Sequence, residues 1–182
     1  MRKPLACLFL ALAGTASAQF TVTNVSNAGS RFPASSNFSG IAQGAVFIVS
    51  ARGVGPADIQ QASFPLPTTD GLAGVTIQAT VEGVTVDAIM VYVAPNEVAA
   101  ILPSSTPIGT GTIRVTSNNG IATAPLKVVA AAFGIFTRVG LGGLAAAFNV
   151  SSDDGSTSQN STDQSVKPGQ DMLIKARAWE RS

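Results

Sequence analysis

The sequence contains no histidine. Without imidazole there is no Ser-His-Asp or Cys-His machinery and no His-ligated zinc, because no side chain with an ordinary pKa near neutrality remains to act as base or nitrogen ligand. The single cysteine, Cys7, lies in an N-terminal leader whose removal would leave no disulfide, thiol nucleophile or Cys metal site. No cofactor or metal is implied. Charge is sparse too: 12% of residues, 11 basic against 10 acidic, with no run of either sign. That offers no electrostatic footprint for nucleic acid or an acidic membrane surface. Aromatic side chains are also few, with one Trp and one Tyr beside nine Phe. What is present is ordinary core-forming material, 46% apolar with 18 Gly and 10 Pro in 182 residues.

The chain begins MRKPLACLFLALAGTASAQF. Arg2 and Lys3 form a basic start, Leu5 to Gly14 an apolar run, and Ala16-Ser17-Ala18 a small-residue cleavage site, which together describe a secretory signal peptide over residues 1–18. The expected mature start is Gln19, and loss of the two leader cations turns the net charge from +1 to −1. A spanning helix needs about 20 apolar residues, and the leader run has half that. Lys127 and Arg138 interrupt the most apolar later region, so no membrane span is expected in the mature chain. The expected location is secreted, periplasmic or at the cell surface.

Along the mature chain the hydrophobic period is two. Val75-Thr76-Ile77-Gln78-Ala79-Thr80-Val81 alternates apolar and polar, which on a pleated strand sends Val75, Ile77, Ala79 and Val81 to one face. Ile113 and Val115, interleaved with Thr112, Arg114 and Thr116, repeat the pattern. Ser117-Asn118-Asn119-Gly120 then supplies an Asn-Gly hairpin signal before Ile121. Further strands are expected at Phe20 to Val25, Ala45 to Ser50, Val84 to Val86, Ile89 to Ala94, Val98 to Leu102 and Leu126 to Ala130. The fold class is therefore all-β. An immunoglobulin-like antiparallel β-sandwich takes about 100 residues, which suits 19–130. Residues 131–182 are marginal as an independent core and read as an incomplete second β-rich unit that must lean on the first. Its stretch 151–165 is almost wholly Ser, Thr, Asp, Asn, Gln and Gly and reads as a solvated loop.

Several segments match a known family in order. Val25-Ser26-Asn27-Ala28, then Phe64-Pro65-Leu66-Pro67-Thr68-Thr69 and Gly74-Val75-Thr76-Ile77, resemble the opening VNAAS and LPLPTTLGGVSV of an uncharacterised C-terminal domain family of secreted acidobacterial proteins. Val91-Tyr92-Val93-Ala94-Pro95-Asn96 is similar to the family's YVSPGQIN, Ala130 to Thr137 to its AAPGIFT, and Lys167-Pro168-Gly169-Gln170 to its KPGS. The resemblance covers most of the mature chain. It implies an exported immunoglobulin-like domain akin to the IPT/TIG sandwiches, appended to larger surface or secreted proteins, with no activity to carry over. Phe133 stands where the family has Pro, and Asn96-Glu97-Val98 replaces its Gly-Gln-Ile-Asn. After KPGS the family continues through Tyr-x-Thr-Gly-x-Gly into several more strands, whereas this sequence runs from Asp171 to Ser182. The expectation is a second sandwich cut off after about two strands by truncation or frameshift. Met172 to Ala176 would then form an unpaired edge that invites aggregation or pairing with another chain.

Several local motifs each admit a plainer role. Gly140-Leu141-Gly142-Gly143-Leu144-Ala145 fits G-x-G-x-x-A, with Phe136 to Val139 before it and Asp163 after. A dinucleotide site there would need a helix and a parallel strand, so a glycine-rich turn reads better. Asp153-Asp154-Gly155 and Asp163 could attract calcium but lack the alternating acids of a twelve-residue loop, so they read as a solvated turn. Asp87 and Glu97 are the plausible central carboxylate pair for glycoside hydrolysis. For stacking on sugar rings the amphipathic candidates are Tyr92 and Trp179. Core packing with the hydroxyl at the rim is the plainer role of Tyr92. Phe64-Pro65-Leu66-Pro67 reads as a rigid extended linker between strands rather than as a proline-helix ligand. Asn24, Asn37, Asn149 and Asn160 each begin an N-x-Ser/Thr sequon.

The expected function is that of an exported noncatalytic immunoglobulin-like module for adhesion, assembly or spacing. Its expected partner is a protein or polysaccharide at the cell surface. The alternatives are a polysaccharide-binding module and a carboxylate-dependent glycoside hydrolase.

Overall fold

A computed structural model describes residues 20–32, 34–37, 39–136 and 145–177. The expected signal peptide, most of the G-x-G-x-x-A stretch and Trp179 lie outside the described residues. All regular structure among the described residues is β. In chain order the strands are β1 (Val22–Asn27), β2 (Ile41–Ala42), β3 (Val46–Ala51), β4 (Gln60–Gln61), β5 (Thr76–Val81), β6 (Val84–Asp87), β7 (Ile89–Val93), β8 (Glu97–Ile101), β9 (Gly109–Ser117), β10 (Gly120–Val129), β11 (Gly134–Ile135), β12 (Ala147–Val150), β13 (Thr157–Gln159), β14 (Met172–Ile174) and β15 (Ala176–Arg177).

The first ten build two five-stranded sheets, ordered β1-β3-β8-β7-β4 and β2-β10-β9-β5-β6. The first sheet places the first, second, fifth and fourth principal strands side by side, and the second groups the third, sixth and seventh. That is the strand grouping of an immunoglobulin-type sandwich. The expected antiparallel sandwich has one local exception: β2 runs parallel to the end of β10, through Ile41↔Val128 and Ala42↔Val129. The chain crosses there from the first sheet to the edge of the second before returning to β3, so the two strands point the same way.

The period-two reading of β5 holds. Val75, Ile77, Ala79 and Val81 enter the core, as do Ile113 and Val115 of β9 and Leu126 and Val128 of β10. Phe47, Val49, Met90, Val98 and Ala100 meet them from the first sheet. Burying one such aliphatic or aromatic side chain is worth about 1.5–3 kcal/mol, so the sandwich is held by this shared layer. The hairpin expected at Asn118-Asn119-Gly120 is present, but Gly120 pairs with Ser117 and takes the positive φ of 123°, so the two-residue turn is Asn118-Asn119. β10 also starts earlier than Leu126. Pro125 sits within it because β2 reaches only Val128 and Val129, which leaves that part of β10 as a sheet edge where a missing N–H is tolerated.

Beyond β10 the architecture thins. β11 pairs with β15, and β12 lies between β13 and β14. The stretch 151–165 is not wholly loop: Thr157–Gln159 pairs antiparallel with Phe148–Val150, and its three side chains are exposed. A polar strand of this kind is held by its backbone ladder, which composition does not reveal. Contact with the sandwich runs through Ala132, which packs against the core, and through two glycines. A Cβ on Gly134 would stand 2.7 Å from Asn27 Oδ1, and one on Gly29 would stand 2.8 Å from the Gly134 carbonyl oxygen. The backbones approach so closely that neither position tolerates a side chain.

Candidate functional site

The position of Tyr92 is set by a β-bulge. Met90 faces the core opposite Ala100, and Val93 faces it opposite Val98. Strict alternation would turn Tyr92 inward with Met90. The register instead shifts between Met90 and Tyr92, so Tyr92 lies opposite Ala99 and faces outward. The expectation of core packing is thereby corrected: the ring is half-buried on the outer face of the first sheet. Its hydroxyl donates to Glu97 Oε1 at 2.5 Å.

Glu97 opens β8, and its second oxygen, Oε2, accepts from Arg31 Nη1 at 2.9 Å. Arg31 arrives there through a turn after β1. The Asn27 side-chain oxygen accepts from the backbone N–H of Gly29 at 2.8 Å and of Ser30 at 3.3 Å. Arg31, at φ 54°, donates its own N–H to the Asn27 carbonyl at 2.9 Å. An Asn side chain that stands in for a backbone acceptor reverses the chain in this way. The guanidinium then spans from beyond β1 to β8, across the intervening β3, a distance of about 10 Å at roughly 4.8 Å per strand. On this outer face Ser26, Ile48 and Ala99 form one cross-strand row that ends at Tyr92. All three are buried, although Ile48 and Ala99 belong to no part of the inner core. The first sheet is thus covered on this face too, and the Arg31–Glu97 pair crosses the same face.

The charges of the cluster lock one another. The hydrogen bond from Arg31 draws the Glu97 carboxyl below its ordinary value, against the opposing effect of burial, and the Tyr92 hydroxyl adds to the lowering. The Arg31 guanidinium is raised in turn, chiefly by its hydrogen bond to Glu97. Tyr92 is pushed up to about 12, first by burial and then by its bond to Glu97. All three groups therefore keep one protonation state around neutrality. Such a cluster clamps. It has no proton to exchange at pH 7.

The expected carboxylate pair is not brought together. Asp87 lies on β6, at the edge of the second sheet, where Gln78 Nε2 donates to its Oδ1 at 3.0 Å. Glu97 lies within the first sheet. Asp154 accepts from the Ser156 backbone N–H at 2.9 Å, and hydrogen bonding from Ser156 lowers its carboxyl to about 2, as a turn acid does. No group of three or more Cys, Asp or Glu that could hold a metal occurs among the described residues. No helix among them is long and apolar enough to cross a membrane. The Phe64 to Pro67 stretch is tethered at its ends, with Ala62 N–H donated to Val91 and Met90 N–H to Pro67, each at 2.9 Å, while the Phe64 ring is 90% exposed.

A second feature had no counterpart in the motif reading. A polar hollow of about 610 Å³ opens between β12, β13 and the loop after them. Asn149, Asp163, Gln164, Lys167 and Gln170 line it together with several serines. Its amides are pre-positioned: Asn160 Nδ2 donates to Asn149 Oδ1 at 2.6 Å, and Asn149 Nδ2 donates to the Gln164 carbonyl at 2.8 Å. Comparison with known proteins adds no relative, since no family model and no curated protein matches the chain.

Proposed function

We propose that this protein is an exported, noncatalytic immunoglobulin-like module that serves adhesion, assembly or spacing, of the kind found in the secreted C-terminal domain family it resembles. The observation that carries the reading is the Arg31–Glu97–Tyr92 cluster. Its polar groups are used up on one another at 2.9 and 2.5 Å, which binds a turn to a sheet and leaves no acid or base poised near neutrality. The leader and the lack of histidine support export and the absence of general-base chemistry respectively. The test is mass analysis of the exported chain together with activity assays on chromogenic glycosides. The expected results are a chain beginning at Gln19 and no turnover. Turnover that disappears in Glu97→Gln would replace this reading with the hydrolase.

The polar hollow supports a second reading, a polysaccharide-binding module. The hollow is lined by hydroxyl, amide, carboxylate and ammonium side chains, the kinds of donor and acceptor that meet the hydroxyls of a sugar ring. The Tyr92 ring is the weaker candidate for such binding because its hydroxyl is engaged with Glu97. Glycan-array binding lost in Asn149→Ala and kept in Tyr92→Phe is the result that would favour this second reading.

A further inference from the structure

Strand β14 leaves its outer edge open. On its inner side Val150 N–H donates to the Asp171 carbonyl at 3.0 Å and Lys175 N–H donates to the Ala146 carbonyl at 2.9 Å, with Leu173 opposite Phe148 between them. In an antiparallel ladder, backbone groups point alternately to the two sides of a strand. Residues 171, 173 and 175 therefore bond inward, and the N–H and C=O of Met172 and Ile174 point outward. Among the described residues no strand lies on that side. The side chains are open as well: Met172, Leu173 and Ile174 are 44%, 50% and 43% exposed.

We propose that this edge pairs with the same edge of a second copy of the chain, antiparallel and centred on Leu173. The residues themselves select the occupant. Asp171-Met172-Leu173-Ile174-Lys175 is self-complementary when reversed: a two-fold axis through Leu173 sets Met172 of each copy opposite Ile174 of the other, and Asp171 opposite Lys175. In this register the four outward groups of each strand meet their counterparts as hydrogen-bonded pairs. The Leu173 pair and the Asp171–Lys175 pairs fall at the closer, non-hydrogen-bonded positions, where opposite charges attract most. Sliding the register by two residues one way sets Lys175 opposite Gly169 and loses both charge pairs, and sliding it the other way sets Lys175 opposite Leu173 with Asp171 facing Arg177 instead, a register in which Lys175 carries no charge pair. Lys175 is already held on the same face, with its Nζ 5.1 Å from the centre of the Phe148 ring. The product is one continuous six-stranded sheet, β13-β12-β14 and its mirror sequence, and an isologous contact of this kind closes at two copies.

The pairing gives the assembly role proposed above a specific contact, but it rests on these residues alone. Sedimentation of the full chain over a range of concentrations tests it, with far-UV circular dichroism checking that each variant is folded. The wild type should show a monomer–dimer equilibrium. Lys175→Asp and Asp171→Lys each set like charges opposite one another and should raise the dissociation constant by about tenfold or more. An equimolar mixture of these two variants should recover the wild-type affinity as a heterodimer, because each then supplies what the other lacks. Ile174→Pro, which removes an outward N–H and leaves the inner ladder intact, should abolish the dimer. A wild type that stays monomeric overturns the pairing and leaves the noncatalytic reading intact. Single charge variants that dimerise as the wild type does, or a mixture that fails to recover affinity, overturn it equally.

Discussion

Ile77 and Leu173 are both branched aliphatic residues in the middle of short antiparallel strands, yet one is 2% exposed and the other 50%. The difference lies in what each strand has to pack against. In the sandwich every inward position of one sheet meets an inward position of the other, so alternation is enough to bury a side chain. In the region after β10, three short strands form a single layer, and among its described residues the one buried apolar side chain is Ala147. A lone layer can satisfy its backbone but cannot hide two faces. Backbone pairing and hydrophobic closure are thus separate achievements, and the second part of the chain has only the first.

Removing a large side chain from the closed part should have the largest effect. Phe47→Ala should cost about 3–5 kcal/mol in chemical denaturation, enough to threaten folding. Gly111→Ala comes next. A Cβ there would press on the Thr80 carbonyl oxygen and the Val81 backbone within the central ladder, and the thermal midpoint should fall by the equivalent of about 1–3 kcal/mol.

Disarming the outer clamp should have a smaller effect. Glu97→Ala should cost about 1 kcal/mol, a modest figure because both partners are partly exposed and water screens them. The wild type should lose this contribution as pH falls through the acid range. A carboxyl held below its ordinary value stabilises the fold above the unfolded pKa and ceases to do so once it is protonated in the native state. Tyr92 behaves in the opposite sense. Raised from 10.0 to about 12, it supports the fold below pH 10 and loses that contribution as pH climbs toward 12. As the sole tyrosine it can be followed by phenolate absorbance, and its midpoint should move down in Glu97→Gln. The smallest expected effect is that of Leu173→Ala on sandwich stability, within about 0.5 kcal/mol by denaturation of dilute protein. A cost matching that of Phe47→Ala would erase the distinction between the two regions.

Where the sequence was informative, the reason was that each strand has one wet and one dry face. Val75 to Val81 displays that division residue by residue, and its strand, facing and burial all follow. The same logic misplaced Tyr92, because a bulge changes the phase of alternation without leaving a mark in Ile-Met-Val-Tyr-Val. Pro125 divided β10 into a strand resuming at Ile121 and another from Leu126, since a proline argues against a central strand, and only the topology shows that the two are one strand with an open edge. Arg31 was invisible for a different reason. Its partner Glu97 lies 66 residues away, and no local spacing links a guanidinium to a carboxylate that folding alone brings near. The Asn149–Asn160 pair, whose second member lies inside a stretch read as solvated loop, was hidden in the same way.

The buried row of Ser26, Ile48 and Ala99 shows that the first sheet is covered on its outer side as well as its inner one. Isotope exchange at the amides of β3 and β8 should therefore be the slowest clock in the molecule, running down only when the whole sandwich opens. If the Arg31 turn lifts first, that clock should quicken on the outer row while the inner row keeps time.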